Sequence, residues 1–197
     1  MDNRESILDV ALKLFADKGY DAVGVQEVVD AAGITKPTLY HYFGSKYGLL
    51  EAILDTGFGR LMDKVSGPMN SSDSDVRERL FNVAKAFLTF AVDDGIFFSF
   101  MLSLMYSPRS SDSYKAVKPH LLNLYQNVID MFMRASDQLG NMNGRQEQFA
   151  MGFLGLLNQY AYTYSEKTPV MDEELKNHVT DGDIRALIQQ YMYGIVN

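Results

Sequence analysis

The sequence predicts an all-α protein, and three observations carry that prediction. Apolar residues recur at helical spacing along almost the whole chain. No segment shows a convincing period-two alternation. Capping and turn-forming residues divide the periodic stretches into about nine helices. With 197 residues, 47% of them hydrophobic, the chain is long enough to bury a sizeable core.

The first helix spans 4–18, with Ile7, Ala11, Leu14 and Phe15 on one face and Gly19 as its stop. Two short helices follow at 26–32 and 36–43, separated by Gly33, Ile34 and Thr35. A long helix starts after Ser45 and carries Leu49, Leu50, Ile53, Leu54, Leu61, Met62 and Val65. Its end is expected in SGPMNSSDSD, where breakers and polar residues concentrate. Further helices are expected at 76–93, at 96–106, from 113 or 119 to 138, at 145–165 and at 181–196. Pro119 leaves two starts open for the third of these, because proline sits in a first turn or kinks a helix begun earlier. Thr180 and Asp183 resemble a capping box, and Ile184, Leu187, Ile188, Tyr191, Met192 and Ile195 form one stripe behind it.

Composition excludes several classes of chemistry. Cysteine is absent, and His41, His120 and His178 are far apart, so neither a metal site nor a cofactor is expected. There is no GxSxG elbow, P-loop, dinucleotide fingerprint or HExxH, so no catalytic residues are assigned and an enzyme is not expected. The acidic start MDNRESIL and the short longest apolar run, 96–105, predict a cytoplasmic chain without a membrane partner. A net charge of −7 argues against coating nucleic acid nonspecifically, which requires excess Lys and Arg. Residues 31–50, however, contain Lys36 and Lys46 and no Asp or Glu, between Asp30 and Glu51.

That segment carries the functional signal. Val25, Val28, Val29 and Ala32 give the first short helix an apolar face. Gly33 permits a sharp turn, and Ile34 and Leu39 fill the angle between the helices. Thr35 is a good N-cap for the second short helix, whose first turn tolerates Pro37. With Leu39 and Phe43 defining the core face, Lys36, Thr38, Tyr40 and His41 cannot all be buried. An exposed, donor-rich helix of two turns fits a DNA major groove, where Lys36 meets guanine acceptors and Tyr40 a thymine methyl or base edge. Ser45 caps the next helix, placing free amides and Lys46 toward a phosphate.

The run AGITKPTLYHYFGSKYGLL strongly resembles the signature of the TetR family of regulators. The resemblance covers about the first quarter of the chain by motif. It implies a three-helix helix-turn-helix domain, 1–48, and a larger helical ligand-sensing and dimerisation domain, 49–197. It implies double-stranded operator DNA as the partner, with Lys36, Thr38 and Tyr40 facing the groove and His41, Tyr42 and Lys46 near phosphates. Thr35 joins them as the helix cap. The sequence departs from the family at Val23 and Gly24, where hydroxyl residues are common and one normally caps the helix and touches a phosphate. Gly48 also stands where an acidic residue is commoner.

In the second half, Phe, Met and Tyr are dense. Any one of them reads as core, whereas as a set they suit an adaptable apolar pocket. Phe97, Phe98, Met101, Met105, Tyr125 and Phe132 are the expected contacts of a small lipophilic effector, in the half where the resemblance places a pocket controlling DNA affinity. Asp130 is expected to pair with Arg134 on a polar face. Residues 149–164 are apolar over more than one face, which calls for two partners. With 181–196 they form the expected homodimer interface, through Phe153, Leu157, Tyr160, Leu187, Ile188 and Tyr191, and the resemblance implies a four-helix bundle there. The resulting reading is a repressor released from its operator by a lipophilic effector. The alternatives are a DNA-binding protein of this fold without an effector and, more remotely, a helical lipid carrier or enzyme.

Overall fold

A computed structural model describes residues 3–72, 75–139, 144–165, 177 and 179–194. Among them are nine α-helices and no strand: α1 (Asn3–Lys18), α2 (Val25–Ala32), α3 (Lys36–Phe43), α4 (Lys46–Asn70), α5 (Val76–Asp93), α6 (Gly95–Met105), α7 (Asp112–Arg134), α8 (Gln146–Ser165) and α9 (Asp181–Tyr193). The all-α expectation is met. His178 and the expected last residues of the final helix, 195–196, lie outside the described residues. The chain packs as two compact units, Met1–Arg60 with Ile96–Leu122 and Leu61–Gly95 with Asn123–Asn197. Packing thus groups α6 and the start of α7 with α1 to α3 and the first part of α4.

In the first unit, α1 buries Ile7, Leu8, Ala11, Leu12 and Phe15. Phe15 meets Tyr20 edge-on at 5.2 Å and Phe100 of α6 at 6.2 Å. The first half of α4 buries Leu49, Leu50, Ile53, Leu54 and Phe58. Gly57 lets α6 come close: a Cβ at that position would lie 2.0 Å from the ring of Phe97, which is completely buried. Phe97 in turn stands edge-on to Phe58 at 5.6 Å.

In the second unit, α5 packs against α8 and α9. Asp75 caps α5 by accepting from the Arg77 amide at 2.9 Å, and Gln138 accepts the Val76 amide at 2.8 Å. Thr180 caps α9 as expected, its Oγ1 accepting from the Asp183 amide at 3.2 Å. Phe132 lies 6.1 Å from both Phe149 and Phe153, and the Tyr191 hydroxyl donates to the Phe149 carbonyl at 2.6 Å.

Two boundaries that the sequence left open are set by the structure. α4 continues through Ser66, Gly67 and Pro68 to Asn70. Proline removes only one bond in this last turn, where Val65 and Met69 stay buried and the Arg134 guanidinium donates to the Met69 carbonyl at 3.3 Å and to Asn70 Oδ1 at 3.0 Å. Arg134 therefore caps α4, and Asp130 accepts from Gln126 at 2.9 Å instead of pairing with it. α7 begins at Asp112 because the Ser111 hydroxyl caps it, accepting from the Tyr114 amide at 3.1 Å. Pro119 sits inside on the exposed side, while Ala116, Val117 and Leu124 hold the helix from the buried side.

Gly57 and Gly59 look alike in sequence yet should respond oppositely to alanine. At Gly59 a Cβ meets open space, so Gly59→Ala should stabilise by about 0.5–1 kcal/mol through helix propensity. Gly57→Ala must displace a buried ring and should destabilise by about 1–3 kcal/mol. Urea unfolding of the two variants checks both signs.

Candidate nucleic-acid interface

The site starts from a turn that only glycine makes cheaply. Gly33 ends α2 in the left-handed region at φ 65°, while the Ile34 amide donates to the Val29 carbonyl at 3.0 Å. Thr35 is then extended, and its Oγ1 accepts from the Thr38 amide at 3.4 Å and lies 2.9 Å from the Thr38 hydroxyl. At the other end, Gly44 adopts φ 71° and its amide donates to the Tyr40 carbonyl at 2.8 Å. Ser45 Oγ caps α4, accepting the Gly48 amide at 2.9 Å. A side chain at 48 would place its Cβ 2.1 Å from the Phe43 carbonyl oxygen, which accounts for the glycine there. α2 starts without a side-chain cap, because Gly24 has none to offer.

Between these caps α3 is two turns long with one completely buried residue, Leu39, and Phe43 half-buried. Lys36, Pro37, Tyr40 and His41 fall on one face and are exposed, Tyr42 is exposed beside them, and Thr38 is half-buried against Thr35. The neighbouring acids are engaged: Asp30 accepts from Gln26 at 2.7 Å, and Glu27 pairs with Lys18 at 2.5 Å. The exposed face of α3 thus offers donors, an imidazole and aromatic edges with no carboxylate among them.

Lys46 is placed differently from Lys36. Its ammonium lies 4.2 Å from the centre of the Tyr20 ring and 5.9 Å from that of Phe15. Burial there holds its pKa below the usual lysine value, against the opposing pull of Asp21. Burial likewise pushes the Tyr20 hydroxyl up to about 12, with Asp112 and Asp21 adding to the effect, so the ring stays neutral and orients the ammonium without cancelling its charge. Nothing in the local sequence links residues 20 and 46, and this partnership was not foreseen.

Residues 7–53 match the profile of the family described as bacterial regulatory proteins, tetR family. The match covers about the first quarter of the chain, the segment that carries α1 to α3 and the start of α4. It is 36% identical over 93 residues to the HTH-type transcriptional activator FasR of Mycolicibacterium smegmatis, a stretch covering 47% of this chain and 42% of that protein. It is 39% identical over 72 residues to the HTH-type transcriptional repressor KstR2 of Rhodococcus jostii, covering 34% of this chain and 35% of that one. The matches therefore span less than half the length of these relatives. The fold likeness extends further: the structure of AibR in complex with isovaleryl coenzyme A and operator DNA superposes with a TM-score of 0.68 at 20% identity, over 90% of this chain and 96% of that one.

The other expected site residues are dispersed. Phe97, Phe98 and Met101 are buried on α6 in the first unit, with Met105 half-buried. Tyr125 and Phe132 belong to the second unit, where the Tyr125 hydroxyl donates to the Glu147 carbonyl at 2.9 Å and Phe132 packs on α8. Of the expected interface residues, Phe153, Leu157, Leu187 and Ile188 are buried within the chain's own core, and Tyr160 and Tyr191 are half-buried. The large apolar side chains left exposed on α8 and α9 among the described residues are Met151, Tyr162 and Tyr193. Periodicity located the apolar helices but did not reveal which of their faces the chain itself covers.

The cap of α3 gives a direct test of this local geometry. Thr35→Ala leaves the Thr38 amide and hydroxyl without their partner and should cost about 1 kcal/mol, while Thr35→Ser should recover most of it. Chemical denaturation of both variants measures the difference. Equal stability of the two would show that the hydroxyl does not hold the helix.

Proposed function

We propose that this chain is a dimeric transcriptional regulator of the cytoplasm that reads operator DNA with α3 and acts as a repressor released by a small lipophilic effector. The observation that carries the reading is the exposed face of α3: Lys36, Tyr40 and His41 project from a short helix anchored by Leu39. Such a helix enters a major groove with Lys36 as the donor to guanine edges. His41 and Tyr42 lie toward the backbone, and the Lys46 ammonium supplies phosphate attraction. FasR is an activator and KstR2 a repressor, so the sign of regulation depends on where the operator lies relative to a promoter.

The effector reading rests on the ring-rich helix α6, whose Phe97, Phe98, Met101 and Met105 repack readily around an apolar guest. AibR, which shares the fold, was crystallised with a coenzyme A thioester of a short branched acid together with operator DNA. An acyl chain of that kind matches the apolar character of α6. Dimerisation fits the two-fold symmetry of helix-turn-helix targets. In this reading the face that pairs with the second copy is that of Met151, Gly155 and Tyr162 on α8, together with Tyr193 on α9.

Two experiments test the proposal. Selection from random-sequence duplex DNA should enrich an inverted repeat. Lys36→Ala should then cost on the order of 1–3 kcal/mol per half-site and relax discrimination at one base pair. Failure to enrich any sequence would remove the DNA-reading function. For the dimer, Met151→Glu places a charge on an exposed apolar face and should yield helical monomers in sedimentation, whereas Ile188→Glu buries that charge in the chain's core and should unfold it. An unchanged dimer with Met151→Glu would move the interface elsewhere.

A further inference from the structure

Several cations of the first unit are held in one of two ways. Lys13, Lys18 and Lys115 each pair with a carboxylate, Asp9 at 2.7 Å, Glu27 at 2.5 Å and Asp112 at 3.3 Å. Arg4 does not pair with any carboxylate of the described residues. Its guanidinium lies 5.6 Å from the ring centre of Phe43, the last residue of α3, and its side chain is exposed. Lys46 repeats the pattern on Tyr20. A carboxylate neutralises the cation it holds, whereas a ring face orients it and leaves its charge available.

We infer that Arg4 binds a DNA phosphate beside the last turn of α3. A guanidinium resting on a ring still presents its N–H donors in the plane of the group, where two of them match the oxygens of a phosphate. Phe43 is half-buried and belongs to the reading helix itself, so the position of Arg4 is tied to that of α3. His41 and Tyr42 are exposed on the same last turn of α3. The only role short of this is an exposed cation–π contact, which supplies a few tenths to about 1 kcal/mol to the fold. That role predicts no dependence of DNA binding on the charge at position 4.

This inference rests on the DNA-reading proposal, and its test separates the two. The probe is the duplex that the wild-type chain enriches most from random-sequence DNA, titrated at several salt concentrations with wild type, Arg4→Ala, Arg4→Lys and, as a control on the same helix, Lys13→Ala. Arg4→Ala should weaken all sequences alike and make the slope of log affinity against log salt shallower by about 0.9 for each chain on the DNA. Arg4→Lys should restore the slope, and Lys13→Ala should leave it alone. An unchanged slope with Arg4→Ala overturns the inference and leaves the DNA-reading function standing. An equal loss of slope with Arg4→Lys also overturns it, since the effect would then come from the fit on Phe43 and not from charge. A wild-type chain that enriches no duplex overturns both.

Discussion

The burial of Leu39 is the constraint on which the reading surface depends. α3 has eight residues, and a free helix of two turns does not persist in water, because nucleation costs more than so few hydrogen bonds return. Its persistence comes from outside the helix. Leu39 is completely enclosed, and deleting such a side chain costs about 2–5 kcal/mol, more than the caps at either end contribute. The caps set where α3 begins and stops, while Leu39 sets its rotation. Once that rotation is fixed, Lys36, Pro37, Tyr40 and His41 have no direction left but outward.

Around this anchor the molecule keeps its charges apart. The chain carries a net charge of −7, yet Asp30 and Glu27 of α2 are engaged with Gln26 and Lys18, and Arg4 and Lys46 rest on aromatic faces. A protein can therefore be acidic overall and still present a local surface that attracts phosphate, because screening limits the reach of its distant carboxylates to about 10 Å at ordinary ionic strength. Net charge describes solubility and long-range steering; the partners of individual side chains describe the site.

Much of this was legible in the sequence where the physics is local. The Thr35 and Thr180 caps, the Gly33 turn and the core face of α3 follow from neighbours within four residues, and the structure places them as read. What escaped depended on residues distant in the chain. The end of α4 was legible only as the stretch SGPMNSSDSD; its place at Asn70 depends on Arg134, some 65 residues away, which caps it. Lys46 reads as facing a phosphate, but the Tyr20 ring on which its ammonium lies is not legible from its neighbours in sequence. Phe153, Leu157, Leu187 and Ile188 looked like interface because a periodic apolar stripe does not say whether its partner is the same chain or another. Gly57 and Gly59 were indistinguishable until Phe97 was found resting against one of them.

The central claim is that the outward face of α3 meets DNA while Leu39 holds it in place. Solution NMR of the isotopically labelled chain, titrated with its selected duplex, tests this most directly. The account predicts that the largest shifts fall on the backbone and side chains of Thr35 through Tyr42, with the Leu39 methyl groups keeping their contacts throughout. Shifts concentrated on α8 and α9, or a Leu39 that becomes exposed when DNA binds, would contradict it.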